Sequence, residues 1–154
     1  MNVVIKEAVE GDCPLILEYI RALADFEGLT DAVTVTEETL RGDLFGRRLA
    51  EALLVEVQGQ SAGFAMYYFT YSTFAGKPNL YLEDLFIKPE FRHRGLARAV
   101  FKRLAETADR EGCRRLEWSV LRWNTGAKAF YASLGATLRP DWENWRLDLT
   151  AVHL

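Results

Sequence analysis

Residues 80–110 constrain the fold most, because an apolar run leads through a basic turn into an amphipathic pattern. Residues 80–87, with the sequence LYLEDLFI, are typical of a buried strand that also carries two carboxylates, Glu83 and Asp84. The turn RHRGLA at 92–97 follows, and a helical apolar stripe begins there. Such a turn directs backbone N–H groups and the positive end of the helix dipole toward one point. The segment therefore predicts an anion site beside a strand with acid–base groups.

The rest of the chain predicts an α/β fold with one mixed, mostly antiparallel sheet and helices on both faces. Strands are predicted at 2–6, 52–57, 61–71, 80–87, 115–121 and 145–149. Helices, with their capping and stop residues, are predicted from Asp12 to Gly28, Thr36 to Gly46, Gly95 to Gly112 and Thr125 to Gly135. On the third helix, Arg103 is expected to point away from the apolar face. Because this helix connects strands 80–87 and 115–121, those two strands are expected to be parallel.

Length and composition indicate an ordinary globular protein in which residues 1–154 form one domain. Proteins that bind nucleic acid usually carry an excess of basic residues, so the net charge of −3 disfavours a nucleic-acid partner. No apolar run approaches the length of about 18 residues that a membrane span needs. Cys13 and Cys113 have no metal-ligand spacing, so no metal is expected. The start MNVVIKEA lacks the apolar core of a secretion signal, and we expect a cytoplasmic protein.

The local signals each leave an alternative open. Adjacent residues face opposite sides of a strand, so either Glu83 or Asp84 should lie on a largely buried face. A buried carboxylate is costly unless it pairs with an arginine or serves as a base or cation ligand. The turn at 92–97 is not a dinucleotide-binding motif, and an ordinary helix entry would also explain it. Asn124 has the character of a helix cap, and Tyr131 alone would indicate a core or boundary residue.

Taken together, these residues resemble a known family. The turn R-x-x-G-x-A at 92–97, W-N at 123–124 and F-Y-x-x-x-G-A at 130–136 resemble the GNAT superfamily of acetyl-CoA-dependent N-acetyltransferases. The stretch FAMYYFTYSTFAGKPNLYLEDLF at 64–86 is similar to the diamine (spermidine/spermine) N-acetyltransferases and their thialysine-acetylating relatives. The likeness extends from about Ile5 to Trp145. It implies the GNAT fold and an acetyltransferase activity.

The resemblance implies how acetyl-CoA is held. The backbone of the strand would bind the acetyl and pantetheine end, the basic turn would cradle the pyrophosphate, and Asn124 would contact the pantetheine arm. The full implied set is Leu85, Phe86, Ile87, Arg92, His93, Arg94, Gly95, Leu96, Ala97, Arg98 and Asn124. Ala97 stands where relatives usually have glycine, a change that a phosphate turn should tolerate.

The resemblance also implies the catalytic groups. Tyr131 would be the general acid for the departing thiolate, and Glu83 the base, acting through water. The amine pocket would be lined by Phe26, Glu27, Glu83, Asp84 and Trp145. Transfer would be direct, in a ternary complex, within a homodimer whose amine site lies near the subunit boundary.

The chemistry requires such groups, since an alkyl ammonium with a pKa near 10.4 must lose a proton before it attacks.

Phe26 replaces a tyrosine of the diamine enzyme, which leaves open whether the amine is a polyamine, a diamine, thialysine or another amine. Two other functions remain alternatives. One is a protein or peptide amine acetyltransferase. The other is a non-catalytic acyl-CoA-binding module, which would need neither Tyr131 nor the carboxylates.

Overall fold

The computed structural model describes residues 1–153 of the chain, which divides into two compact units, Met1–Ser119 and Val120–Leu154. The first unit contains a five-stranded sheet. Its strands are β1 (Val3–Glu7), β2 (Glu51–Val57), β3 (Gln60–Ser72), β4 (Lys77–Ile87) and β5 (Leu116–Trp118). They lie in the order β1-β2-β3-β4-β5, and every pair is antiparallel except β4 with β5. The predicted mixed, mostly antiparallel sheet is confirmed.

Three helices accompany this sheet: α1 (Cys13–Phe26), α2 (Glu37–Arg41) and α3 (Leu96–Arg110). Helix α2 continues as a π-helical turn, Gly42–Gly46, so the predicted stop at Gly46 is confirmed. Thr36 caps α2, because its hydroxyl accepts a hydrogen bond of 3.1 Å from the Thr39 N–H. Short 3₁₀ turns occur at Glu10–Asp12, Thr30–Ala32 and Pro89–Phe91.

Apolar side chains cover both faces of the sheet. Helices α1 and α2 pack on one face in a buried cluster that includes Tyr19, Leu54, Phe64 and Phe86. Helix α3 covers the other face, where Phe101 meets Trp118 of β5 edge to face, with ring centroids 4.9 Å apart. Consecutive residues of β2 are therefore buried on opposite sides, as in a sheet with helices on both faces.

The second unit contains one helix, α4 (Thr125–Ser133). The Asn124 side chain caps it by accepting a hydrogen bond of 3.2 Å from the Ala127 N–H. The chain beyond it, from 137 to 153, forms neither helix nor strand. The predicted strand 145–149 is therefore wrong. Its alternating apolar residues mimic a strand, but the Asp148 carboxylate accepts from the Thr150 N–H and hydroxyl and turns the backbone there.

Three other predictions are corrected in the first unit. Strand β4 begins at Lys77 rather than Leu80, because Pro78 pairs with Tyr71 of β3 despite lacking an N–H. Asp12 precedes α1, but its carboxylate accepts from the Val9 N–H instead of capping the helix. The Arg103 side chain, predicted to point away from the apolar face of α3, does not do so.

The Arg103 guanidinium turns back to the sheet, where Nη1 donates to the Ile5 carbonyl at 3.0 Å and Nη2 lies 3.8 Å from the Glu7 carboxylate. The edge strand β1 leaves backbone acceptors unpaired, and a long side chain on α3 reaches them. Strand β5 is also shorter than the predicted 115–121.

Gly63 of β3 lies close against the end of β4. A Cβ at this position would lie 2.3 Å from the Phe86 carbonyl oxygen and 2.8 Å from Ile87 Cδ1. The absence of a side chain at Gly63 therefore lets the Phe86–Ile87 end of β4 sit against β3.

We predict that Gly63→Ala lowers the free energy of unfolding by about 1–3 kcal/mol, because β4 must shift to accept the methyl group. Gly42→Ala is the matched control, since Gly42 has helical backbone angles and open space around a Cβ. The control should be neutral or stabilising by up to about 1 kcal/mol. Denaturant titration of both variants measures the difference, and equal stabilities would contradict the packing described for Gly63.

Candidate functional site

The pairing of β3 with β4 contains an irregularity at the two predicted carboxylates. Met66 pairs with Asp84 and Tyr67 pairs with Leu82, so the register shifts and Glu83 is the extra residue. A β-bulge of this kind leaves one residue outside the ladder and redirects its side chain. The Glu83 side chain is exposed, whereas that of Asp84 is mostly buried. The prediction that one of the pair lies on a buried face is confirmed, and that residue is Asp84.

Neither carboxylate pairs with an arginine or a lysine among the ion pairs of residues 1–153. The Glu83 carboxylate instead accepts a hydrogen bond of 3.1 Å from the Tyr68 hydroxyl. The alternative in which these residues exist to form a structural salt bridge therefore has no support in the described part of the chain.

The pKa of Asp84 is shifted by its surroundings at this site. Burial, and then the negative charges of Glu83 and Glu27, raise the pKa of Asp84 to about 6. Burial also raises the pKa of Glu27, which follows α1. Like charges that oppose ionisation are a mark of functional sites. The three carboxylates thus create a region of negative potential that suits a cationic ligand.

The Arg92 side chain has partners that the sequence did not reveal. Its Nε donates to the Ile87 carbonyl at 2.8 Å. Its guanidinium carbon lies 5.0 Å from the Phe26 ring centre and 5.5 Å from that of Phe86. Arg92 therefore joins the end of α1, which carries the predicted pocket residue Phe26, to the end of β4, which carries the predicted acyl-binding backbone.

The turn that follows has the backbone of an anion cradle. His93 and Gly95 both adopt left-handed conformations, with φ of 61° and 78°. Glycine is favoured at 95 by this angle rather than by crowding, because no atom lies within 4 Å of a Cβ built there. The N–H groups of the first turn of a helix have no acceptor within the helix, and α3 begins at Leu96.

Basic side chains flank the turn. His93, Arg94 and Arg98 are exposed, and the Arg94 guanidinium lies 5.5 Å from the Phe91 ring centre. Positive side chains, a left-handed turn and a helix start together form a donor set that fits a pyrophosphate. The residues present therefore fit the pyrophosphate of acetyl-CoA.

The remaining predicted residues belong to the second unit. Tyr131 is half-buried on α4, where its ring lies 5.8 Å from that of Phe130. Asn124 acts as the cap of α4, one of the two roles expected for it. Trp145 lies on the segment without regular structure and is 89% exposed. The first unit holds all the other predicted site residues, from Phe26 and Glu27 to Arg98.

Within residues 1–153, no three or more His, Cys, Asp and Glu side chains are grouped so that they would hold a metal ion. No helix of that part of the chain is both long enough and apolar enough to cross a membrane.

We predict that Asp84→Asn stabilises the protein at neutral pH. A carboxyl whose pKa is raised to about 6 binds its proton more tightly in the folded state, so the free energy of unfolding falls as pH rises between about 4 and 6. Asparagine avoids this cost, which is roughly 3 kcal/mol above pH 6. Thermal unfolding at pH 7.5 and pH 4 should show a gain for the variant that vanishes at the lower pH. An equal gain at both pH values would contradict the burial of a charged Asp84.

Comparison with known proteins agrees with this geometry. The chain is 44% identical over 152 residues to the thialysine N-epsilon-acetyltransferase of Bos taurus, a match that covers 93% of this chain and 89% of the relative. It is 37% identical over 151 residues to the spermidine/spermine N(1)-acetyltransferase-like protein 1 of Homo sapiens, covering 93% of this chain but 22% of that longer protein.

The fold has solved counterparts as well. A possible acetyltransferase from Clostridium difficile 630 superposes with a TM-score of 0.79 at 20% identity, covering 99% of this chain and 100% of that one. This likeness concerns the fold alone. The sequence model of the acetyltransferase (GNAT) family matches residues 18–136, which include the carboxylate pair, the basic turn and Tyr131. The chain therefore belongs to the acetyltransferase (GNAT) family and is an N-acetyltransferase, as its resemblance to that family implied.

Proposed function

We propose that this protein transfers an acetyl group from acetyl-CoA to a primary amine of a small cationic molecule, namely a diamine, a polyamine or a thialysine-type analogue of lysine. The observation that carries this proposal is the crowding of negative charge at Asp84 by Glu83 and Glu27. A protein would bear the cost of such crowding where a positive ligand compensates it. The printed names of the relatives, thialysine and spermidine/spermine acetyltransferases, support this substrate class.

The carboxylates would do two things. Asp84, which is largely buried, and Glu27, which is partly buried, attract the cationic substrate and hold the positive charge that it keeps on its non-reacting amine. Glu83, exposed and able to exchange protons with water, takes the proton that the ammonium nitrogen must lose before it attacks. Phe26 and Trp145 would supply apolar walls for the alkyl part of the substrate.

Acetyl-CoA supplies an acyl group activated as a thioester. The backbone of Leu85, Phe86 and Ile87 would hold its acyl end, and the turn residues 92–98 its pyrophosphate, with Asn124 on the arm between them. Tyr131 would hold a hydroxyl proton and release it as the general acid. The cap that Asn124 forms leaves its amide nitrogen available for such a contact.

The sequence, together with its resemblance to the family, supports four further parts of the proposal. The two units would act as one catalytic domain spanning 1–154, and two copies of the chain would form a homodimer. Amine and acetyl-CoA would bind together before a direct transfer. The protein would act in the cytoplasm, on free small molecules rather than on nucleic acid or at a membrane.

A turnover screen tests the substrate class. Purified protein with acetyl-CoA should release free thiol with diamines, polyamines and thialysine, at rates far above those with peptides that carry a lysine or a free N-terminus. Turnover confined to the peptides would favour the alternative of a protein acetyltransferase. Binding of acetyl-CoA with no turnover on any amine would favour a non-catalytic binding module.

We predict that Tyr131→Phe lowers kcat by about 10²-fold or more and leaves the affinity for acetyl-CoA within about threefold, because a general acid contributes on that scale to the chemical step. Steady-state kinetics and equilibrium binding of acetyl-CoA separate the two effects. Tyr71→Phe, the same change at an exposed position, serves as the control. Near-normal turnover of Tyr131→Phe would rule out the general-acid role.

A further inference from the structure

The Glu83 side chain needs something to hold it in place. As the extra residue of the bulge it lies outside the regular pairing of β3 with β4, and it is exposed. A glutamate in that position has several rotamers, and fixing one of them costs conformational entropy. A base that takes a proton during a reaction must nevertheless stand within hydrogen-bond reach of it. A second group must therefore aim the carboxylate.

Tyr68 is placed to do this. It lies on β3 opposite Tyr81 of β4, and its hydroxyl reaches along the sheet to donate to Glu83 Oε2 at 3.1 Å. Its ring is half-buried and packs against the Tyr81 ring, with centroids 5.3 Å apart. The Tyr81 hydroxyl shares a hydrogen bond of 2.9 Å with Ser119, just after β5. The Tyr68 side chain is therefore held by contacts that extend from β3 across β4 to the end of β5.

We propose that Tyr68 is a positioning residue, which aims the carboxylate of Glu83 at the amine. This inference rests on the proposed role of Glu83 as the base. Tyr68 touches neither the amine nor the acyl group, and it acts through Glu83.

The electrostatics at Tyr68 support a permanent donor. Burial, and then the charge of Glu83 and the hydrogen bond to it, raise the pKa of Tyr68 to about 12, with smaller effects of Tyr81 and Asp84. Tyr68 therefore stays protonated across the range in which an acetyltransferase works. The groups that face this pair are Tyr81 and Asp84 from β4, together with Glu27 after α1, whose charge acts on Asp84.

Tyr68→Phe tests the inference, since phenylalanine keeps the ring packing and removes the donor. We expect kcat to fall about tenfold, because a misdirected base loses part of the 10²–10⁴-fold effect of such a group. The KM for acetyl-CoA should not change, so that the loss is confined to the chemical step. Tyr71→Phe on the same strand should match the wild type in both kcat and KM.

Glu83→Gln separates this inference from the proposed function. If Tyr68 acts through Glu83, then Tyr68→Phe causes no further loss in the Glu83→Gln background. An impaired Glu83→Gln together with a normal Tyr68→Phe would overturn the positioning role alone. A wild-type rate and pH profile in Glu83→Gln would overturn the base at 83, and the positioning role with it.

A measurement without turnover checks the contact itself. The ¹³Cζ resonance of Tyr68 reports ionisation of its hydroxyl, and in Glu83→Gln this ionisation should begin at lower pH because a negative neighbour has been removed. The Tyr71 resonance is the internal control. An unchanged Tyr68 titration would show that the two side chains do not interact in solution, and would overturn the inference.

Discussion

The candidate site depends on the shift of register between β3 and β4. Regular pairing would place Glu83 and Asp84 on strictly opposite faces, each opposite one residue of β3. The bulge instead leaves Glu83 outside the ladder and exposed, while Asp84 keeps its partner Met66 and stays largely buried. The two neighbouring carboxylates therefore lie in different environments. Glu83 can exchange protons with solvent, as a base must, whereas Asp84 places a negative charge in a largely buried position.

The same region is costly to build. Protonation of Asp84 would stabilise the folded protein near neutral pH. Gly63 has no side chain, which lets the Phe86 end of β4 approach β3. Arg92 stabilises this end of the strand by donating to the Ile87 carbonyl and stacking on two rings. Its contacts also link Phe26, a residue of the proposed amine pocket, to the strand proposed to bind the acyl group, so the two halves of the proposed site share one support.

Local chemistry made much of the fold predictable from sequence. Thr36 and Asn124 cap their helices as their residue types indicate, and Gly95 occupies the left-handed position that starts α3. The start of α4 follows for the same reason. The local pattern predicted an anion site at the turn, and the family resemblance added the identity of the anion and the expected role of Tyr131.

The failures involve partners distant in sequence. Nothing near Pro78 indicates that it pairs with Tyr71, and nothing near Arg103 indicates that it donates to Ile5. Tyr68 and Glu83 are 15 residues apart, and their contact depends on a register that a strand pattern does not specify. The alternating residues of 145–149 predicted a strand, yet backbone pairing and not side-chain alternation makes one.

The carboxylates near Asp84 are proposed to select a small molecule that carries a second positive charge besides its reacting amine. A comparison of kcat/KM for a diamine with kcat/KM for the monoamine of equal chain length, at low and high salt, tests this selection. We expect the diamine to be favoured about tenfold or more at low ionic strength, and we expect added salt to reduce this preference. Equal kcat/KM values for the two amines at low salt would contradict the proposed selection.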